Sequence, residues 1–226
     1  MKKIFMAVVA LMMTISASAQ FYIYYSDGTV AKVDSISMVA PKESVHEYVD
    51  LGLSVKWATC NVGANSPEEY GDCFAWGETQ PKETYDWSTY KWYNGSSGTQ
   101  TKYCTDRYFG TIDNKTVLEA SDDAATANWG GAWRMPTKAE QDELCTECTW
   151  KRTAQNGVIG YKVTGANGNS IFFPVTGDRL EYGNYWSSSL DTDYPNYAYR
   201  LFFDSSGRER TSLFRCYGLY VRPVCP

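Results

Sequence analysis

The chain predicts an α+β fold, a twisted antiparallel sheet with two short helices and long loops, and three observations point there. From residue 46 onward the apolar residues come in short runs separated by Gly, Asn, Asp and Ser, a pattern of strands and loops rather than long helices. Only two stretches, opening near Ser121 and at Thr137, carry helix-start chemistry. After them, YKVTG and SIFFPVTG flank Ala166-Asn167-Gly168-Asn169, and Asn-Gly is the strongest short hairpin signal. The length of 226 residues, 43% of them hydrophobic and 15% aromatic, suits one domain of generous size with a real core.

Residues 1–19 read as a secretory signal. Lys2 and Lys3 precede the apolar run IFMAVVALMMTIS, and Ala17-Ser18-Ala19 predicts cleavage before Gln20. A run of about 13 apolar residues is short for a membrane span, so the expectation is export to the periplasm, cell surface or medium, with no membrane insertion after cleavage. No cysteine follows the cleavage point until Cys60, so a lipid-attachment signal is not expected. Loss of the two lysines takes the formal charge from −5 to −7, which gives no electrostatic footprint for nucleic acid or anionic lipid.

Residues 20–45 predict a β-hairpin and linker. FYIYYSDGTVAKVDSIS at 21–37 places two short strands around Ser26-Asp27-Gly28, and MVAPKES at 38–44 would connect them onward. Such a hairpin is marginal alone, and it either docks on the main domain at 46–226 or stands as a free arm. The stretch 80–115, rich in Tyr, Gly, Ser and Thr, reads as long surface excursions with little core of their own.

Ser121 is positioned to cap a first helix beginning at Asp122-Asp123, whose carboxylates favour the first turn, and that helix should end before Gly130-Gly131. The second begins in WGGAWRMPTKAEQDEL at 129–144. Pro136 keeps Met135 extended, and Thr137 with Glu140 three residues on forms a capping box, for a helix of about two turns to roughly Cys145. YWSSS, YAYRLFF at 197–203 and GLYVRPV at 218–224 follow as strands. Alternation in the last sets Leu219, Val221 and Pro223 on one face, with Tyr220 and Arg222 on the other.

Several motifs in order, EYVDLGLSVKWATCNVGA at 47–64, EEYGDCFAWGET at 68–79, DDAATANWGGAWRMPTKAE at 122–140, NGNSIFFPVTG at 167–177, YWSSS at 185–189 and GLYVRPV at 218–224, resemble the Fibrobacter succinogenes major paralogous domain. That family is widespread in secreted and surface proteins of Bacteroidetes. The Thr137 corner and the closing strand are also similar to the sulfatase-modifying-factor branch of the C-type lectin-like superfold. The resemblance implies a C-type lectin-like domain with paired N- and C-terminal strands and long loops over one end of the sheet. Ligands of such domains meet those loops or the exposed strand face.

Catalysis is not expected. His46 is the only histidine and lies away from any nucleophile motif, so a triad or a multi-histidine zinc site has nothing to build on. Cys145-Thr-Glu-Cys148 has redox spacing but falls at the C-terminal end of the second predicted helix, beside Glu143 and Glu147, where the dipole and both carboxylates oppose a thiolate. Seven cysteines in an exported chain predict disulfides of unassigned connectivity, with at least one thiol left over. The R-G-G-S-W context of the cysteine-oxidising enzymes in the similar branch is missing. So is the W-N-D of calcium-dependent lectins; Tyr194-Pro195-Asn196 stands alone, and Asp191, Asp193 and Asn196 read as a solvated acidic loop rather than a metal site. No cofactor or metal is expected.

Between 182 and 220 lie seven Tyr, six Ser and four Arg, a mixture like that of antibody paratopes, where Tyr gives contact area at low entropic cost. Tyr185, Trp186, Leu201, Phe203, Leu219 and Val221 are assigned to the sheet core. Tyr194, Asn196, Tyr197, Tyr199, Arg208, Arg210, Arg215, Tyr217 and Tyr220 are the candidate ligand-binding residues. The expected function is non-enzymatic binding or adhesion, with a glycan or protein ligand. Two alternatives stay open: a structural subunit of a surface assembly, and a receptor whose C-terminal strands are varied by a diversity-generating retroelement, since Tyr, Asn, Asp, Ser, Arg and Cys are the residues that adenine-directed randomisation of asparagine codons produces.

Overall fold

The structure, a computed structural model, describes residues 46–95, 99–175 and 182–226, together with the backbone of 21–24 and 30–33; the side chain of Arg210 is outside that description. The predicted signal at 1–19, the turn at Ser26-Asp27-Gly28 and the linker at 38–44 lie outside the described residues. The chain divides into two units, Met1–Ser44 and Val45–Pro226. In the first, β1 (Phe21–Tyr24) and β2 (Val30–Val33) pair antiparallel from Phe21 opposite Val33 to Tyr24 opposite Val30, as the hairpin pattern predicts.

The second unit is α+β. It opens with β3 (Tyr48–Val49), β4 (Lys56–Ala58), β5 (Cys73–Phe74), β6 (Tyr93–Asn94) and β7 (Thr99–Gln100). Helices α1 (Ala124–Trp129) and α2 (Lys138–Glu147) follow, then β8 (Thr149–Gln155), β9 (Val158–Thr164) and β10 (Ser170–Pro174). The chain finishes with β11 (Gly183–Leu190), β12 (Tyr197–Phe203), β13 (Arg208–Phe214), β14 (Leu219–Tyr220) and β15 (Val224–Cys225). The central sheet runs β13-β12-β11-β14-β5, flanked by the sheets β10-β9-β8 and β15-β4-β3. One pair in the central sheet, β11 with β14, is parallel, so the expectation of a purely antiparallel sheet is corrected. Among the described residues no helix is long and apolar enough to cross a membrane.

Local chemistry accounts for the helix starts. Thr137 Oγ1 accepts from Glu140 N at 3.3 Å while Glu140 Oε2 accepts from Thr137 N at 2.7 Å, the predicted reciprocal box. The helix runs two residues beyond Cys145. At α1 the cap is Asp123 rather than Ser121: a 3-10 turn over Ala120–Asp122 delays the start, and Asp123 Oδ1 accepts from Thr126 N at 3.0 Å. The Asp123 carboxylate also receives Met135 N at 2.8 Å, so one buried side chain fixes α1 against the extended approach to α2. The β9–β10 hairpin turns through Gly168 at φ 86°, and a second Asn-Gly, Asn156-Gly157, closes β8–β9 with both residues left-handed at φ 48° and 85°.

Core side chains pack on both faces of the central sheet at β11, while the described residues of β13 stay exposed or half-buried. Toward α2 and β8–β10, Tyr185, Leu201, Phe203, Leu144, Phe173 and Trp57 form one cluster. On the other face Trp186, Ala198, Leu219 and Val221 meet Trp76, Met135 and Tyr103. Two indoles brace this side across β14: Trp76 Nε1 donates to the Ser187 carbonyl and Trp186 Nε1 to that of Phe74, each at 2.8 Å. The alternation predicted for 218–224 is present, yet its second face is not solvent. Tyr220 packs on the first cluster, and Arg222 is buried, donating to Asn61 Oδ1 and to the carbonyls of Ala58, Thr59 and Phe172. Those bonds divide the predicted single strand into β14 and β15, which join different sheets.

The seven cysteines stand as thiols, which corrects the disulfide expectation. They are spread over different surroundings: Cys145 and Cys148 in the α2-side core, Cys216 against Tyr90, and Cys104 donating to the Asp106 carbonyl at 3.1 Å. Burial first, then Glu143 and Glu147, push the Cys148 thiol up to about 11, the opposite of what a redox dithiol needs. His46 stacks on Trp129 with ring centroids 3.6 Å apart, and burial lowers its pKa.

Candidate ligand-binding cavity

The stretch 80–115 is not the coreless excursion its composition suggests. Tyr90, Ala75 and Cys216 form a third buried cluster, with Tyr85, Trp87, Trp92, Tyr93 and Phe214 packed around it. Asp86 Oδ1 accepts from Ser88 N at 2.8 Å and from Ser88 Oγ at 2.6 Å, a local turn that presents Trp87. Strands β6 and β7 pair Tyr93 with Gln100, and Gln100 in turn bridges Gly110, its N–H donating to the Phe109 carbonyl at 2.7 Å. A Cβ at Gly110 would meet the Gln100 carbonyl oxygen at 2.1 Å, so only glycine lets these two backbones approach.

These elements enclose a cavity of about 400 Å³. Trp87, Tyr93, Tyr108 and Phe109 supply aromatic walls, and Thr99, Gln100 and Asn196 the polar groups. Gln100 is only 2% exposed, and two amide oxygens, Gln100 Oε1 and Asn196 Oδ1, are shielded from water and have no partner among the described residues. Each unpaired buried acceptor costs roughly 1–3 kcal/mol. Aromatic faces beside hydrogen-bond acceptors favour a ligand with apolar C–H faces and several O–H or N–H donors.

The rings continue outward without a break. Tyr108 meets Phe109 at 5.2 Å, Phe109 meets Tyr194 at 6.4 Å, Tyr194 meets Tyr197 at 6.3 Å, and Tyr197 lies on Phe214 at 4.3 Å. Phe214 touches Trp87 at 5.6 Å and Tyr217 at 5.9 Å. Tyr108, Tyr194 and Tyr217 are the exposed members, at 83%, 59% and 42%.

Beneath this surface lies Arg215, fully buried. Its guanidinium donates to Tyr90 Oη at 2.9 Å and to the carbonyls of Pro195, Tyr103 and Lys102 at 2.8, 3.0 and 3.0 Å, and it lies over the Trp76 ring at 4.9 Å. The three segments that border the cavity are therefore held by one planar fork. Tyr103, one of its acceptors, sits at φ 60°, a left-handed conformation that a tyrosine adopts only under tertiary constraint. Asp113 braces the same loop by accepting from Tyr103 N and Cys104 N, both at 2.9 Å; burial would raise its carboxyl, but these donors and Lys115 N hold it below the ordinary value.

Of the residues predicted from sequence, Tyr194, Asn196, Tyr197 and Tyr217 come together at this end of the fold. The rest do not join them. Arg215 is a positioning residue rather than a contact, because it is fully buried and makes four hydrogen bonds to the protein. Tyr220 is half-buried between Tyr70 and Tyr185, each with ring centroids 6.3 Å away, and burial pushes its phenol up. Tyr199 lies beneath the Lys138 ammonium, 5.2 Å from its ring centroid. Arg208 pairs with Phe203 at the far end of the β12–β13 hairpin, six residues or roughly 20 Å along the strand from Tyr197 opposite Phe214, and donates to the Cys145 carbonyl in the last turn of α2. Arg210 pairs with Leu201 in mid-strand, and its side chain is outside the described residues. Sequence reasoning missed Trp87, Tyr93, Gln100, Tyr108 and Phe109; their signal was the aromatic density of 87–93, too high for an ordinary loop.

The acidic loop is organised by its own backbone. Asp191 is buried, and its Oδ1 accepts from Asp193 N at 3.1 Å and Tyr194 N at 3.3 Å. Among the described residues no group of three or more His, Cys, Asp or Glu is placed to hold a metal ion. No family model, curated protein or solved structure matches the chain.

Proposed function

We propose that this is an exported, non-enzymatic binding domain of C-type lectin-like architecture that recognises a glycan through the aromatic cavity at its loop end. One observation carries the reading: four aromatic walls together with the polar residues Thr99, Gln100 and Asn196 line one cavity, bordered by exposed Tyr108 and Tyr194. Sugar rings offer the C–H faces and hydroxyl donors that such a lining takes. The lectin-like reading rests on the Thr137 corner, on the pairing of β15 with β4, and on the collection of long loops at one end. A non-enzymatic role is supported by the buried thiols, whose pKa values are raised, and by His46, which is occupied in stacking on Trp129.

The test is a titration of the purified protein against glycan and protein panels, with and without calcium. Trp87→Ala and Tyr108→Ala should weaken binding to the best glycan at least tenfold. A protein ligand that binds with no glycan competition, or glycan affinity unchanged by both substitutions, would overturn the assignment of the cavity.

A further inference from the structure

A second cavity, of about 640 Å³, adjoins the first and is built on the same two loops. Thr105 Oγ1 donates to the Thr192 carbonyl at 2.8 Å, joining the loops at its floor, and Phe109 of the first cavity meets Tyr194 of the second edge to face at 6.4 Å and 79°. The ring pair is thus a wall common to both. The two linings differ in charge. Among the described residues that line the first cavity none is charged, whereas Asp106, Arg107 and Asp193 stand around the second, all exposed.

From this arrangement we infer that the ligand is an uncharged sugar chain of two or more residues, one ring seated among Trp87, Tyr93, Tyr108 and Phe109 and the next carried over the Phe109–Tyr194 pair to the polar cavity; this rests on the glycan reading above. A carboxylate or sulfate on the first ring would be taken from water into an aromatic and neutral polar lining that offers, among the described residues, no cation to offset it. Hydroxyls of the second ring, by contrast, find both carboxylate acceptors and a guanidinium donor in Asp193, Asp106 and Arg107. Asp106 also accepts from Tyr108 N at 2.8 Å, which couples the second lining to the wall of the first.

Calorimetric titration of the full chain with neutral gluco-, manno-, galacto- and xylo-oligosaccharides of one to six residues, and with uronic-acid oligomers of matched length, tests this. In the series that binds, affinity should rise at least tenfold from the monosaccharide to the trisaccharide and then level off. Arg107→Ala and Asp193→Asn, both at exposed positions that folding tolerates, should flatten that rise while leaving monosaccharide affinity within twofold. Length-independent binding, a rise untouched by both substitutions, or tighter binding of the uronic-acid oligomers would overturn the inference and leave the glycan reading standing. Failure of every sugar to bind would remove the glycan reading, and the inference with it.

Discussion

The Arg215 guanidinium lies 2.8 Å from the Pro195 carbonyl and 3.0 Å from that of Tyr103, so a single buried cation fastens both loops of the candidate cavity. Among the described residues it forms no ion pair with a carboxylate. Four neutral oxygens from Tyr90, Lys102, Tyr103 and Pro195 and the face of Trp76 share the charge.

Removing that group should therefore damage stability and recognition together. Arg215→Ala leaves three carbonyls without the donor they have here, while Tyr90 Oη keeps its bond to the Trp76 carbonyl, and is expected to cost about 3–5 kcal/mol in urea unfolding. Arg215→Lys should recover only a minor part, since an ammonium cannot reach four acceptors arranged for a planar fork. Stability within about 0.5 kcal/mol of the parent for Arg215→Ala would contradict this account.

At Gln100 the expectation runs the other way. Gln100→Met keeps side-chain length while removing an unpartnered buried oxygen, so stability should be unchanged or raised by up to about 1 kcal/mol. Affinity for the glycan should nevertheless fall. A thermal melt beside a binding titration reads both, and a loss of stability greater than about 1 kcal/mol would mean that the oxygen is satisfied in solution.

Acid should loosen the corner at α2. Burial would raise the Glu140 carboxyl, but Arg134, bound at 2.8 and 2.5 Å, and the Thr137 N–H outweigh it, so the folded pKa lies below the ordinary 4.5. A depressed carboxylate contributes stability above its unfolded pKa, and that contribution is lost as pH falls through the folded value. Glu140→Gln keeps the cap geometry and should cost about 1 kcal/mol at pH 7, with the difference shrinking as pH drops below 4.5. Thr137→Ala should cost a similar amount, about 1 kcal/mol, independent of pH over the same range.

Thiol chemistry offers a direct readout of burial. Cys148 and Cys216 are both pushed up to about 11, chiefly by desolvation, so little thiolate exists at pH 8. Alkylation by iodoacetamide at that pH should be on the order of a hundredfold slower in the native protein than in urea at these two positions, followed by peptide mass spectrometry. Native rates close to the denatured ones would show that these sites are open.

How much of this was legible from the chain depends on how local the deciding interaction is. The Thr137–Glu140 box spans four residues, and it was read correctly, as was the period-2 burial of Tyr185, Leu201 and Phe203. Asp123 displaced Ser121 as the cap of α1 because its carboxylate also serves Met135, twelve residues away, a gain no local pattern reports. Arg215 reads from sequence as a ligand contact, and Arg222 only as a residue on the face opposite Leu219, because nothing near them in sequence announces the carbonyls that receive them. The cavity was half visible for the same reason: Tyr194, Asn196 and Tyr197 belong to the recognised C-terminal region, while Trp87, Gln100 and Phe109 arrive from a segment whose polar composition concealed its packing.

Strand β15 pairs with β4, Val224 opposite Trp57, and Arg134 bonds Val224 in both directions at 3.0 and 2.9 Å. The sheet that receives the first strands of this unit thus waits for residues made some 170 positions later, and loop-closure entropy must be met before that seam can form. A chain in which 224–225 have not yet been made lacks the clasp. The seam is therefore among the last parts of this unit that synthesis allows to close, whatever order the rest follows.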